Sequence, residues 1–192
     1  MTECPPGPLL QSPLNLSSKD KFLLVLNLPA VLRNRVANDP TIDLNPLQMS
    51  VFGTIVPQIS VPAVDTRFMG QSVKFTSLNR PEYAPLTLSF IVDNEYKNYY
   101  LLWRWLEIYN DPKHSVYTGP DTPDPSLETE YQTTFSIFAL NEYNKPLIEF
   151  QFLNVFITNL GAITYNYRES DQLECTADFS FNQLIIKPTT KK

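Results

Sequence analysis

The stretch at residues 94–110, NEYKNYYLLWRWLEIYN, constrains the fold more than any other part of the chain. It follows directly on an alternating run at 86–92. At about 100° per residue its side chains sort into faces. Tyr96, Tyr99, Leu102, Trp103, Leu106 and Tyr109 share one face, which is enough to dock a helix on a sheet. Asn94, Lys97 and Arg104 lie opposite, as a solvated face should. Leu101 and Ile108 project between those polar residues, flanked by Tyr100 and Trp105. A helix that is apolar on more than one side is buried in a large protein or packed against a neighbour. A chain of 192 residues makes one domain of ordinary size. The surplus apolar side therefore predicts a neighbouring subunit, with Tyr100, Leu101, Trp105 and Ile108 as the inter-subunit contacts.

Most of the remainder reads as strand. Residues 22–28 (FLLVLNL) form a short apolar run ended by Pro29, and 47–62 a second extended stretch in which Gly53 and Pro57 suggest a bulge or bend. Residues 61–75 continue extended and 76–84 form a loop. Leu86, Leu88, Phe90 and Val92 alternate with Thr87, Ser89 and Ile91, and Asp93 or Asn94 can cap the helix that follows. Residues 110–130, rich in Pro and Asp without apolar period, predict a long surface loop. Beyond it, Phe135, Ile137 and Ala139, the turn at 141–146, and Ile148, Phe150 and Phe152 give a hairpin signal. A second link at 161–171 leads to Cys175, Ala177, Phe179 and Phe181. The expected fold is mainly β (α+β): an antiparallel β-sandwich or partial barrel with one flanking aromatic-rich helix. The expected organisation is an arm at 1–20, one β domain at 21–187 and a polar tail at 188–192.

Alternation leaves a second sheet face carrying Thr87, Ser89, Ser136, Glu149, Gln151, Thr176, Asp178, Ser180 and Asn182, with no Lys or Arg among them. The whole chain has net charge −5, which argues against a basic nucleic-acid groove. Seventeen Pro against five Gly favour rigid, extended connections. Cys4 and Cys175 do not make a disulfide framework, and Cys175 reads as a buried thiol. The first residues lack the basic and apolar regions of a signal peptide, and no apolar run reaches the roughly 18 residues of a membrane span.

Catalytic chemistry finds little support. His114 is the one histidine, so a zinc site or a nucleophile–His pair has no companions at a useful spacing. The glycines are isolated, so no phosphate loop forms. Asp121, Asp124, Glu128 and Glu130 lack the spacing and glycine of a calcium loop. Glu149 and Asp178 could act as a hydrolytic pair if their strands are neighbours, but solvated sheet residues are the plainer reading. No catalytic residue, metal or cofactor is expected.

Three segments in order carry a family resemblance. FLLVLNLPAVL precedes the proline-punctuated VPQISVPAVDTRFMGQSVKF. PLTLSFIVDNEYKNYYLLWRWLEIYN joins a strand, an acidic cap and an aromatic helix with a central Trp. FSIFALNEYNKPLIEFQFLNVFITNLGAITYNYRESDQLECTADFSFNQLII follows as strand, turn, strand and closing strand. Together they resemble the tail tube and baseplate-tube proteins of contractile-tailed, T-even-like phages, over about residues 22–186. The arm at 1–20 and the loop at 110–130 depart from that pattern. The resemblance implies a virion protein assembled in the host cytoplasm. Its sheets would close into a larger barrel in a hexameric ring, and the rings would stack into a tube inside a sheath. Sheath, baseplate or tape-measure proteins would be partners, and DNA would pass through the lumen without specific binding or any membrane contact. On that reading Glu149, Gln151, Thr176, Asp178 and Ser180 line the channel, where like charge discourages DNA from sticking. The alternatives are a monomeric β-sandwich that binds a ligand through exposed aromatics, and a small hydrolase using Glu149 and Asp178.

Overall fold

The structure, a computed structural model, describes residues 17–30, 32, 33, 45–77, 79, 81–109, 132–168 and 170–189. Most of the arm at 1–20, the loop at 110–130 with His114 and its acidic run, Cys4, and the last three residues lie outside the described residues, as do the side chains of Ile108 and Tyr109.

Nine strands and two helices follow in chain order among the described residues: β1 (Phe22–Val25), α1 (Asn45–Ser50), β2 (Val51–Thr54), β3 (Ala63–Phe68), β4 (Gln71–Thr76), β5 (Leu86–Ile91), α2 (Lys97–Tyr109), β6 (Thr133–Leu140), β7 (Pro146–Leu160), β8 (Glu174–Ser180) and β9 (Gln183–Pro188). Seven strands form one antiparallel sheet in the order β1-β6-β7-β8-β5-β2, with β9 also on β7. Strands β3 and β4 pair only with each other.

The 15-residue β7 ties the sheet together. Its first half lies between β6 and β9, and its second half pairs with β8. Between the halves, Asn154 takes a left-handed backbone (φ 57°), the extra residue of a bulge that bends a strand and shifts its pairing. Phe152 before the bulge and Val155 and Ile157 after it therefore all reach one core. The mainly β, antiparallel fold expected from sequence is present, and its seven main strands form one sheet whose two blocks share β7.

One face of that sheet is the core. Leu86, Leu88 and Phe90 of β5, Cys175, Ala177 and Phe179 of β8, and Phe135 and Ile137 of β6 are buried, as their period of two requires. Helix α2 covers this face. Trp105 meets Phe135 edge-on at 6.1 Å and Phe179 at 5.7 Å, and those two phenyl rings stand T-shaped at 5.1 Å. Offset and edge-on geometry is the favourable arrangement for ring quadrupoles.

Asn98 fixes where α2 starts. It is fully buried, a position that costs several kcal/mol for an unpaired amide. All of its hydrogen-bonding capacity is used. Nδ2 donates to the Ile91 carbonyl at 2.8 Å and to Ser50 Oγ at 3.0 Å, while Oδ1 accepts from the Asp93 and Tyr99 amides at 3.1 and 2.8 Å. One side chain thus joins the end of β5, the end of α1 and the first turn of α2.

Several sequence expectations change. Residues 47–50 are helical rather than strand. Helix α1 opens Asn45-Pro46, and a proline in the first turn gives up no intrahelical bond. The extended run at 61–75 is broken into a hairpin by Met69 (φ 49°) and Gly70 (φ 79°), the two positive-φ residues of a tight turn matched to strand twist. The tail after Ile186 remains in β9, where Lys187 stands opposite Glu149.

At Gly161 a Cβ would sit 2.6 Å from Thr176 Oγ1 and 2.9 Å from the Thr176 carbonyl, so only glycine fits the crossing of β7 onto β8. Urea unfolding should show Asn98→Ala losing about 3 kcal/mol, because four half-buried groups lose this partner. Gly161→Ala should lose more than about 1 kcal/mol. Unchanged midpoints for both would refute this description of the node and the crossing.

Candidate functional site

Three surfaces remain outside the core: the second face of the sheet, the outer side of α2 with the loop that follows β7, and the β3–β4 hairpin.

The second sheet face carries the residues singled out for a channel. Asp178 faces Thr87 across β5 and accepts its hydroxyl at 2.6 Å, with a further bond of 3.0 Å from Asn159 Nδ2 of β7. Thr176 stands opposite Ser89 and is exposed. Ser180, half-buried, is the register partner of Phe156. Glu149 accepts from Ser136 Oγ at 2.8 Å, and Gln151 accepts from Lys187 Nζ. The five residues therefore do lie on the non-core face. The expectation of a face without Lys or Arg fails, because β9 extends far enough to add Lys187. Phe138 and Ile185, opposite Glu149 and Gln151, make the face less polar than alternation suggested.

A hydrolytic pair is not assembled here. The partner of Asp178 on β7 is Asn159, ten residues from Glu149. That is about 30 Å measured along an extended strand. Two carboxylates sharing one glycosidic bond stand roughly 5–9.5 Å apart. No cluster of His, Cys, Asp and Glu among the described residues could hold a metal. No helix among them is long and apolar enough to cross a membrane. Cys175 is a buried thiol whose pKa burial pushes up.

On α2 the expected phase is wrong. The buried stripe is Asn98, Leu101, Leu102 and Trp105, spaced i, i+3, i+4 and i+7. Leu101 (0% exposed) and Trp105 (1%) pack inside this subunit and present no surface to a neighbour. The reason is Asn98, a buried amide on the core side of the helix that no apolar period reveals. Trp103, expected in the core, is exposed, and Tyr100 stacks on it at 5.6 Å. The Arg104 guanidinium lies 5.8–5.9 Å from both ring centroids, within cation–π range, and pairs with Glu107. Of the four expected contacts, Tyr100 alone is described as reaching the surface.

At the N-terminal end of α2 a tyrosine platform forms that sequence reasoning missed. Tyr96 has a left-handed backbone (φ 57°), which costs a bulky L-residue about 1–2 kcal/mol. Its hydroxyl meets that of Tyr165 at 3.2 Å, and this hydrogen bond holds the Tyr165 phenol above its ordinary pKa. Tyr165 and Tyr167 are exposed beside it. Two tyrosines in a polar loop give no periodic signal; only the fold brings them to Tyr96.

The hairpin is exposed throughout apart from half-buried Val73. Register puts Val64 against Phe75 and Thr66 against Val73, with Phe68 next along, on one face; Asp65, Arg67 and Lys74 lie on the other. On its apolar side Val64, Phe68 and Phe75 are all at least half exposed among the described residues, and Val73 is half-buried.

A family model for phage tail tube protein matches residues 17–187. No curated protein matches the chain. Among solved structures, the chain is similar to one from the PVC sheath-tube complex of an extracellular contractile injection system in the extended state. The TM-score is 0.61 at 12% identity, over 95% of this chain and 99% of that one. It is also similar to the anti-feeding prophage cap, the AFP tube terminating cap, with TM-score 0.59 at 14% identity over 91% and 92%. At these identities the likeness is one of fold.

The corrected helix phase has a direct consequence. Trp105→Ala should lower stability by about 3–5 kcal/mol. Trp103→Ala should stay within about 1 kcal/mol. Thermal or urea unfolding of both variants distinguishes this phase from the reverse, in which the two effects would exchange.

Proposed function

The chain belongs to the phage tail tube protein family, and from that premise we propose that it assembles into stacked hexameric rings that form a tail tube and conduct DNA during ejection. The tube role is structural. The observation that carries the assembly reading is the hairpin of β3 and β4. A two-stranded hairpin is marginal in water, and this one leaves Val64, Phe68 and Phe75 bare. A second copy covering that face would supply burial that the described residues of the subunit do not.

The sheet supports the rest of the reading. Its outer strands β1 and β2 are short, four residues each, and leave edge groups that closure with neighbouring subunits would satisfy. With the core face filled by α2, the second face is the one free to line a channel. Glu149, Gln151, Thr176, Asp178 and Ser180 would then face the lumen. Asp178, Glu149 and Gln151 are already hydrogen-bonded within the sheet. Among the described residues such a wall offers DNA the carboxylates of Glu149, Asp178 and, at the start of β8, Glu174, against one ammonium, Lys187, which donates to Gln151. Affinity for DNA grows with the number of phosphates neutralised by Lys and Arg, so this face favours passage over capture.

The opposite side, with Tyr100, Trp103 and Arg104, is then the outside of the tube and the surface for a sheath. Shared fold with a chain of a sheath-tube complex supports that partner. Baseplate and tape-measure proteins are the further partners, and the assembled tube belongs to the tail of the virion, built in the host cytoplasm.

Val64→Asp and Phe75→Asp test the assembly reading. Both side chains are at least half exposed, so the variants should keep the wild-type circular dichroism and unfolding midpoint. Light scattering should find them as monomers of 22.0 kDa, under conditions where electron microscopy shows wild-type rings or rods. Variants that assemble as wild type does would refute the role given to the hairpin.

A further inference from the structure

We infer that the tip of the β3–β4 hairpin, Phe68 and Met69, docks on the tyrosine platform Tyr96, Tyr165 and Tyr167 of a second copy of this chain. The inference rests on the assembly reading above and adds the place where the hairpin lands.

Two backbone anomalies point to it. Non-glycine residues seldom adopt positive φ, and those that do are mostly Asn or Asp. Met69 and Tyr96 instead carry large side chains there, at φ 49° and 57°. Each is held outward: Met69 is 89% exposed at the hairpin tip, and Tyr96 joins Tyr165 and Tyr167 in an exposed group. Backbone strain of this kind collects at sites where the side chain has a task. The chemistry of the two surfaces matches. A thioether beside aromatic rings is a favourable contact, and Phe68, 64% exposed, adds a ring to meet the phenols.

Charge selects the platform over an exposed apolar patch at the opposite end of β7. That patch, around Tyr143, Leu147 and Ile186, has Lys21, Lys145 and Lys187 near it against Glu142 and Glu149, a net positive set. The segments that meet at the platform carry Asp93, Glu95, Asp171 and Glu174 against Lys97 and Arg168, the end of β5 being joined to the start of β8 through Ile91 with Glu174 and Val92 with Leu173. The hairpin brings Arg67 and Lys74 with Asp65, a net positive strand pair. Like charge across an interface is costly and opposite charge orients encounter, so the basic hairpin goes to the acidic rim. The two surfaces differ, so the contact is head-to-tail. Repetition of such a contact builds rings or open filaments rather than closed pairs.

Cysteine cross-linking reads the contact directly. In full-length protein carrying Cys4→Ser, the pair Met69→Cys and Tyr167→Cys is oxidised after assembly and run on a non-reducing gel. The expected result is a ladder of dimer, trimer and larger species containing most of the protein, with each single variant giving dimer at most. Rods that form without the ladder overturn this inference and leave the tube reading standing. Wild-type protein that remains monomeric overturns the tube reading, and this inference with it. A charge exchange covers the case in which the cysteine pair fails to assemble. Arg67→Glu with Lys74→Glu should reduce rod formation at least tenfold, and Asp171→Lys with Glu174→Lys added to the same chain should restore it. Absence of either effect overturns the contact.

Discussion

The position of α2 on the sheet depends on one buried amide. Asn98 ties the last carbonyl of β5 to Ser50 and takes the amides of Asp93 and Tyr99. Those bonds set both the axial start of α2 and its rotation. Rotation then decides which residues of an almost wholly apolar helix go inward: Leu101, Leu102 and Trp105 meet the phenyl rings of β6 and β8, and Trp103 is left outside. Buried polar groups that are fully satisfied specify one packing where hydrophobic contact alone would accept several. This helix, with aromatic residues on every side, needs such a determinant.

Once α2 covers one face, the sheet has a single face left. The long strand β7 crosses both blocks and keeps that face continuous through the bulge at Asn154. A wall of this kind suits a conduit because its polar groups are paired with one another across strands. Thr87 with Asp178 and Ser136 with Glu149 use in-sheet bonds that would otherwise be offered to whatever passes. Much of the exposed apolar surface is placed elsewhere, on the hairpin and at the ends of the subunit, where contacts between copies can bury it. Separating a quiet face from adhesive edges is how a subunit can both assemble and stay slippery.

Much of this was legible in the sequence, and the failures have physical causes. Strands β5, β6 and β8 announced themselves because a half-buried strand must alternate. The existence of α2 was clear; its phase was not, since Tyr and Trp tolerate both burial and exposure, and since a buried Asn looks like a surface one. The family resemblance followed from the order of segments, and the match over residues 17–187 agrees with it. The Met69–Gly70 turn was missed because Met is a rare choice at that position. Helix α1 was missed because six residues give too little period. Lys187 was missed because a polar tail gives no hint that its backbone pairs with β7. That Glu149, Gln151, Thr176, Asp178 and Ser180 share the non-core face was legible through alternation, which a paired strand enforces. The tyrosine platform was not, because it joins a turn at 96 to a loop at 165–167 that only tertiary structure brings together.

The central claim is orientation: the hydrogen-bonded sheet face turned inward and α2 turned outward. Cryo-electron microscopy of the assembled full-length protein measures it most directly. The account predicts six-fold rings with Asp178 and Gln151 on the wall of a central channel and Trp103 on the outer surface. Rings in which α2 lines the channel, or in which Asp178 lies on the outside, would contradict it.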